Sequence, residues 1–156
     1  MKIRIVAVGT KMPDWITAGY REYEQRLRKT QVIELIEIPL AKRTKTTDIA
    51  SAKAKEADAI EKHLRSGDHI VALEVEGKAL STPDVAEQLS RWQMNARDTT
   101  LLIGGPDGLD ERLHRRVDMQ WSLSRLTLPH PLVRLVLMEQ IYRGLMINAG
   151  HPYHRD

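Results

Sequence analysis

Short runs rich in isoleucine, valine and leucine alternate with longer amphipathic segments along this chain, and this alternation most constrains its fold. It is the pattern of an α/β protein, in which helices flank a mostly parallel sheet. The runs of strand length are residues 3–8, 32–38, 69–75, 99–103 and 119–123. The helix candidates are residues 14–28, 48–65, 83–94 and 131–149, with a short turn at 110–117.

Residue types at the segment ends predict where helices begin and stop. Thr82 before Pro83 is expected to cap a helix, because proline at the first helical position loses no hydrogen bond. Gly67 and Gly150 can each close the helix before them in a left-handed conformation. No repeat, low-complexity tract or linker interrupts residues 1–156, so we expect a single domain.

Composition excludes several functions. The 156 residues include no cysteine, which removes thiol catalysis, disulfides and thiolate zinc sites. The net charge of +3 permits an anionic partner without demanding one. Residues 1–8 are too short and too charged for a signal peptide, and no window approaches 18 uninterrupted apolar residues. We therefore expect a cytoplasmic protein without a membrane anchor.

The common nucleotide and hydrolase motifs are missing. Gly9 after the first strand stands alone, so there is no GxGxxG fingerprint, and neither a P-loop nor a GxSxG elbow occurs. His151 and His154 lie three residues apart, but Pro152 disfavours a helix there and no nearby carboxylate completes a ligand set. We predict no metal site.

Two segments of the last third could hold a ligand. Residues 101–109, LLIGGPDGL, place two glycines directly after a buried strand, where backbone amides can approach a ligand. A tight turn with Pro106 and Gly108 explains the same residues, and on this segment alone we favour it. In residues 121–134, the two prolines keep residues 124–128 extended, which leaves backbone groups to be paired by an adenine, by other loops or by water.

The last predicted helix is apolar on almost every side. It is therefore either central to the monomer or packed partly against a second subunit. Arg143 can pair with Glu139 one turn earlier and points roughly away from the side of Arg134. The tail, residues 151–156, combines cations with Tyr153, a combination that suits unpaired RNA. The cations of residues 41–47 are either solvated or placed to touch phosphate.

Several segments in this order resemble those of one family, the RlmH-type members of the SPOUT methyltransferases. They are GTKMPDW at residues 9–15, IEIP at 36–39, LLIGGPDGL, WSLSRLTLPHPLVR and the terminal HPYHR. The resemblance implies an S-adenosyl-L-methionine-dependent enzyme that methylates N3 of a pseudouridine in 23S rRNA. It further implies a homodimer that acts on the assembled ribosome, a C-terminal trefoil knot, and no separate RNA-binding domain.

The resemblance also implies roles for individual residues. Those expected to bind the cofactor are Leu73, Gly104, Gly105, Leu123, Ser124, Arg125, Leu126, Thr127 and Leu128. Those expected around the target base are Arg143, Tyr153, His154 and Arg155. Methyl transfer to a nitrogen is a direct displacement, so it needs neither a covalent nucleophile nor a metal.

Three other functions remain open at this point. A non-catalytic ribosome-binding factor could share the fold, and a methyltransferase for small molecules or proteins could use the same site. A phosphate-ester hydrolase could use Asp107, Asp110 and Glu111. Those carboxylates are better explained as the start of a short helix, where acidic residues suit the dipole.

Overall fold

A computed structural model describes residues 1–155, apart from the side chain of His154. Within this range the strands are β1 (Ile3–Val8), β2 (Ile33–Ile38), β3 (His69–Ala79), β4 (Thr99–Ile103) and β5 (Met119–Ser122). The helices are α1 (Asp14–Leu27), α2 (Ile49–Glu61), α3 (Thr82–Met94), α4 (Glu111–His114) and α5 (His130–Asn148). A short 3₁₀ helix, Pro152–Arg155, follows α5.

The described strands form one sheet in the order β2-β1-β4-β3-β5, and every pair is parallel. All carboxyl ends therefore meet at the same edge of the sheet, where α/β proteins bind ligands. The predicted α/β class is confirmed. The trefoil knot implied by the resemblance stays a prediction.

Helices cover both faces of the sheet. On one face, alternate β1 residues such as Ile5 pack with Leu27, Leu89 and Leu137 of α1, α3 and α5. On the other face, Val6 and Val8 pack with α2 and α4. All six residues of β1 and all five of β4 are buried. Burial on both faces explains why these strands are rich in isoleucine, valine and leucine.

Two of the predicted helix ends are wrong. The helix expected at residues 48–65 ends at Glu61, and Gly67 (φ 91°) belongs to a turn in which the amide of Asp68 donates to the Arg65 carbonyl. The chain leaves the helix early because Asp68 must reach the sheet, where Arg4 holds its carboxylate. Ser81, not Thr82, caps α3, since its hydroxyl accepts from Asp84 N.

The end of α5 is confirmed. Gly150 has a φ of 69°, and its amide donates to the Ile147 carbonyl while the amide of His151 donates to the Met146 carbonyl. These two bonds form the Schellman motif, which needs a left-handed residue at this position. The glycine therefore turns the chain out of α5 and starts the tail.

Candidate functional site

A cavity of about 550 Å³ opens at the carboxyl ends of β3 and β4. Two irregular segments close it, namely the glycine-rich turn after β4 and the loop between β5 and α5. We call it the glycine-turn cavity. Its lining residues are Leu73, Glu74, Val75, Ile103, Gly104, Gly105, Pro106, Gly108, Leu109, Thr127, Leu128, Pro129, His130 and Val133.

A smaller side pocket adjoins this cavity and shares with it the wall formed by Leu73, Glu74, Val75, Leu128 and Val133. The structure brings most of the predicted cofactor residues to these two depressions: Leu73, Gly104, Gly105, Leu123, Ser124, Leu126, Thr127 and Leu128. Arg125 is exposed and lies outside both linings. Residues from three separate stretches of the chain thus line these two adjoining depressions.

The loop between β5 and α5 is held by its own serines. Ser122 Oγ donates to the Ser124 carbonyl at 2.9 Å, and the amide of Leu126 donates to Ser124 Oγ at 3.0 Å. Thr127 and Leu128 follow outside any helix or strand, and their N–H and C=O groups have no hydrogen-bond partner within residues 1–155. Both residues line the glycine-turn cavity, so these groups are available to a ligand.

The glycine-rich segment after β4 forms a tight turn that requires Gly104. The amide of Gly108 donates to the Gly105 carbonyl at 3.0 Å, which closes a β-turn with Pro106 at its second position. A Cβ on Gly104 would lie 2.8 Å from the backbone carbon of Gly108. The turn interpretation is therefore confirmed, and the turn also forms one wall of the cavity.

A bulge in β3 supplies a wall that the sequence analysis did not predict. Leu73 and Lys78 both pair with Trp121 of β5, so the residues between them have no paired residue in β5. A Cβ on Gly77 would lie 2.8 Å from three backbone atoms of β5. A glycine within a strand is the signal that marks such a close approach, and the prediction that the strand stops at residue 75 missed it.

Glu74 in this bulge faces the cavity and carries a hydrogen-bonded histidine. Its Oε1 lies 2.7 Å from Nε2 of His114 in α4, while Glu111 lies 3.3 Å from the other ring nitrogen. These bonds, chiefly the one to Glu74, raise the pKa of His114. No local sequence signal links Glu74 to His114, because 40 residues separate them.

His130, the first residue of α5, lines the opposite wall of the cavity. Burial, followed by the neighbouring charge of Arg134, lowers the pKa of His130. The imidazole is therefore neutral at pH 7 and can accept as well as donate a hydrogen bond. His130 was not among the site residues predicted from the sequence.

The predicted tail residues gather at the other end of α5. Arg143 Nε donates to Glu139 at 2.7 Å, as predicted, and its guanidinium lies 4.8 Å from the Tyr153 ring centroid. The hydroxyl of Tyr153 lies 3.4 Å from both Tyr23 and Glu139. Burial and these neighbours raise the pKa of Tyr153, so its phenol stays protonated. Arg155 is exposed, and the side chain of His154 lies outside the described residues.

The predicted site residues thus fall into two groups within one chain. His130 at the cavity and Arg143 near the tail are thirteen residues apart on α5. At 1.5 Å per residue this separation is about 20 Å along the helix axis. Arg143 and Tyr153, which we call the tail cluster, therefore do not form one site with the glycine-turn cavity of the same chain.

The carboxylates considered for a hydrolase have structural partners. Asp107 accepts from Arg43 Nε at 2.6 Å, and Asp110 caps α4 as the helix-start interpretation predicted. Glu111 lies against His114. Arg43 also donates to the buried Glu56 at 2.7 Å, so this cation of the 41–47 loop forms a structural ion pair.

Two further classes of feature are absent from the part of the chain that the structure describes. None of its helices combines the length and apolar character needed to cross a membrane. No three of its histidine, aspartate and glutamate side chains are grouped to hold a metal ion.

The sheet is parallel, and a glycine turn and an irregular loop surround one cavity at its carboxyl edge. This arrangement is typical of the α/β proteins that bind nucleotides and cofactors. Residues 1–154 match the family described as "Predicted SPOUT methyltransferase". The chain belongs to the SPOUT methyltransferase family, which confirms the resemblance seen in the sequence.

Curated relatives match over essentially their whole length. The chain is 52% identical over 156 residues, all of both proteins, to "Ribosomal RNA large subunit methyltransferase H" of Hahella chejuensis. It is 52% identical to the protein of the same name from Marinomonas sp. (strain MWYL1), with 99% of this chain and 100% of the relative covered.

A solved structure shares the fold at low identity. It is described as a probable methylase family protein from Haemophilus influenzae Rd KW20, and its TM-score is 0.60 at 10% identity. The match covers 97% of this chain and 69% of that one.

Proposed function

We propose that this chain transfers a methyl group from S-adenosyl-L-methionine to N3 of a pseudouridine in 23S rRNA, on the assembled ribosome. The names of its full-length relatives support the rRNA substrate. The observation that carries the proposal is the convergence of Leu73, the glycine turn and the loop of residues 123–128 on one cavity. The whole chain acts as one domain, and it works in the cytoplasm, where ribosomes are.

The glycine-turn cavity fits the cofactor. Its volume lies within the range of about 300–1,000 Å³ that is usual for small-molecule sites. Apolar walls from Ile103, Leu128 and Val133 suit an adenine face, and the unpaired backbone groups of Thr127 and Leu128 suit its polar edge. The carboxylate of Glu74 favours a cationic ligand. When bound, S-adenosyl-L-methionine supplies a methyl group that its sulfonium makes electrophilic.

A homodimer completes the site. Because Arg143 lies about 20 Å along α5 from His130 at the cavity, the tail that serves each cavity belongs to a second copy of the chain. A two-fold axis crossing α5 near Val136 would set the Arg143 end of one helix beside the His130 end of the other. Pairing also doubles the basic surface that a small protein offers to RNA.

The half-buried side of α5 supplies the interface. Leu132, Leu135 and Val136 line an apolar depression of about 300 Å³ together with Gly19 and Tyr23 of α1. Apolar side chains in a contiguous surface of this kind are typical of protein–protein contacts. The prediction that α5 packs partly against a second subunit rests on these residues.

The tail residues act on the target base. N3 of a uracil-type ring carries a proton that must leave, and a neighbouring cation or imidazole favours the anion or accepts the proton. We assign this task to His154 or Arg155. Arg143 orients the ring or its phosphate, and the neutral phenol of Tyr153 supports Arg143 through their close stacking.

The first experiment incubates the protein with radiolabelled S-adenosyl-L-methionine and ribosomes. Label in 23S rRNA supports the proposal. Binding to ribosomes without label would indicate a non-catalytic factor, and label in protein or free metabolites would indicate another substrate. Wild-type turnover in both His154→Ala and Arg155→Ala would refute the role given to the tail.

A second experiment tests the cavity by calorimetry. Thr127→Trp places an indole at the cavity lining and is expected to abolish cofactor binding. Gln93→Trp adds the same side chain to an exposed position on α3 and is expected to leave the affinity unchanged. Equal affinity in both variants would contradict the assignment of the cavity.

A third experiment tests the composite site by mixing subunits. Thr127→Trp blocks the cavity and the double change His154→Ala with Arg155→Ala impairs the tail, so each homodimer is expected to be inactive. Mixed dimers restore one intact pair of cavity and tail, so labelling of 23S rRNA returns after subunit exchange. Light scattering that finds a catalytically competent monomer would refute the dimer.

A further inference from the structure

A second cavity, of about 470 Å³, opens beside the glycine-turn cavity at the same edge of the sheet. It lies between α1 and the ends of β1 and β2, and residues 10–12 of the GTKMPDW segment form part of its wall. We call it the Tyr20 cavity. The site described above makes no use of this segment.

Two buried side chains in the wall of the Tyr20 cavity have polar atoms without a partner. Tyr20 is 7% exposed and its hydroxyl makes no hydrogen bond within residues 1–155. Arg134 is 2% exposed, and its Nε is likewise unpaired in the described structure, although its other nitrogens donate to Glu37 and to the Gly9 carbonyl at 2.6 Å. Each unpaired atom exposes less than 1 Å² of surface, so both lie behind the wall, and the polar groups that a ligand can reach are the exposed side chains around the cavity.

The charges around the cavity select the kind of ligand. Lys11 and Arg21 are exposed cations, whereas Glu24 and Glu37 present carboxylates to the same space. The carboxylates disfavour a small anion, and the polar walls disfavour an apolar ligand. Trp15 on the adjoining segment is 61% exposed. Cations for phosphate, donors and acceptors for a base edge, and an exposed indole for stacking together suit an unpaired nucleotide.

The Tyr20 cavity and the glycine-turn cavity share a partition. A Cβ on Gly9 would lie 3.2 Å from Nε2 of His130, which lines the glycine-turn cavity, while the Gly9 carbonyl accepts from Arg134, which lines the Tyr20 cavity. The cavity also uses a different side of α1 from the apolar depression that contains Gly19 and Tyr23. One RNA strand can therefore reach both cavities without crossing the proposed dimer face.

We propose that the Tyr20 cavity binds an unpaired rRNA nucleotide next to the target and so sets the register of the strand over the cofactor. The inference rests on the proposed function. It gives a specific role to Lys11, Arg21 and Trp15, none of which lines the cofactor cavity.

The test compares two double charge reversals with the same net charge. Lys11→Glu with Arg21→Glu is expected to raise the KM for 70S ribosomes at least about tenfold and to lower the salt dependence of ribosome binding by about one unit of slope per lost phosphate contact. Arg28→Glu with Lys29→Glu, at the far end of α1, is expected to change both much less. Calorimetry with S-adenosyl-L-methionine is expected to give wild-type affinity in all of them.

Trp15→Ala separates binding from folding. Because the indole is 61% exposed, its removal is expected to leave the melting temperature unchanged, yet to weaken ribosome binding about fivefold. Wild-type ribosome binding in either Lys11→Glu/Arg21→Glu or Trp15→Ala would overturn this inference alone. A wild-type chain that labels no rRNA would overturn the proposed function, and this inference with it.

Discussion

Replacing Gly77 by alanine tests whether the bulge of β3 shapes the glycine-turn cavity. The added Cβ would lie 2.8 Å from Gln120 C, Trp121 N and Trp121 C. Non-bonded carbon atoms prefer separations of about 3.5–4.0 Å, so one strand must shift by roughly 1 Å. All three contacts are backbone atoms, and a side-chain rotation cannot relieve them.

The expected loss of stability is about 2–3 kcal/mol, the upper part of the range for overpacked sites. For a chain of this length each kcal/mol lowers the melting temperature by about 2–4 °C, so Tm falls by roughly 4–12 °C. Because β5 leads directly into the loop of residues 123–128, its shift also displaces Thr127 and Leu128. We expect the cofactor affinity to fall at least about tenfold, equivalent to about 1.4 kcal/mol.

Thermal unfolding and calorimetry with S-adenosyl-L-methionine measure the two effects. Gly67→Ala is the matched control, because a Cβ there meets nothing within 4 Å and the cost arises only from the φ of 91°. It is expected to lower stability by about 1 kcal/mol and to leave the cofactor affinity unchanged. If Gly77→Ala melts and binds like the wild-type protein, the bulge does not determine the shape of the cavity.

Two further predictions concern ion pairs away from the tail. Arg4 and Asp68 form a buried pair at the amino edge of the sheet. Arg4→Met alone is therefore expected to lower the free energy of unfolding in urea by about 3–5 kcal/mol, whereas Arg4→Met with Asp68→Leu lowers it by less. An equal or additive loss in the double variant would contradict this. Glu74 raises the pKa of His114, so the pair stabilises the fold fully below the ordinary histidine pKa of about 6.5, and this contribution declines as pH rises through the raised value. The difference in unfolding free energy between wild type and Glu74→Gln should therefore shrink as pH rises above about 6.5, and a constant difference would show that His114 is not protonated there.

Much of the fold could be predicted from the chain alone. The bounds of β1 and β4 agree with the prediction at every residue, because strands buried on both faces are rich in isoleucine, valine and leucine. Gly150 ends α5 as predicted, since the Schellman motif depends on residues within one turn. The absence of a helix at residues 124–128 was predicted correctly, because Pro129 and Pro131 restrict the residues before them.

Other features depend on residues far apart in the chain. The early end of α2 follows the pairing of Asp68 with Arg4, and the bulge of β3 follows the packing of Gly77 against β5. Glu74 meets His114 across 40 residues, and Arg134 meets Gly9 across 125. No local sequence pattern predicts such long-range contacts, so neither His130 nor Tyr20 was predicted to line a cavity.

The sequence by itself therefore determined the alternation of strands and helices and, through its resemblance to the SPOUT family, the stretches that line the glycine-turn cavity. Only the tertiary structure decided the strand order, the second cavity beside the first, and the distance of about 20 Å along α5 between His130 at the cavity and Arg143 near the tail. The physical reason is range. Backbone conformation depends on neighbours within a few residues, whereas a shared cavity depends on contacts between distant segments that form only when the sheet assembles.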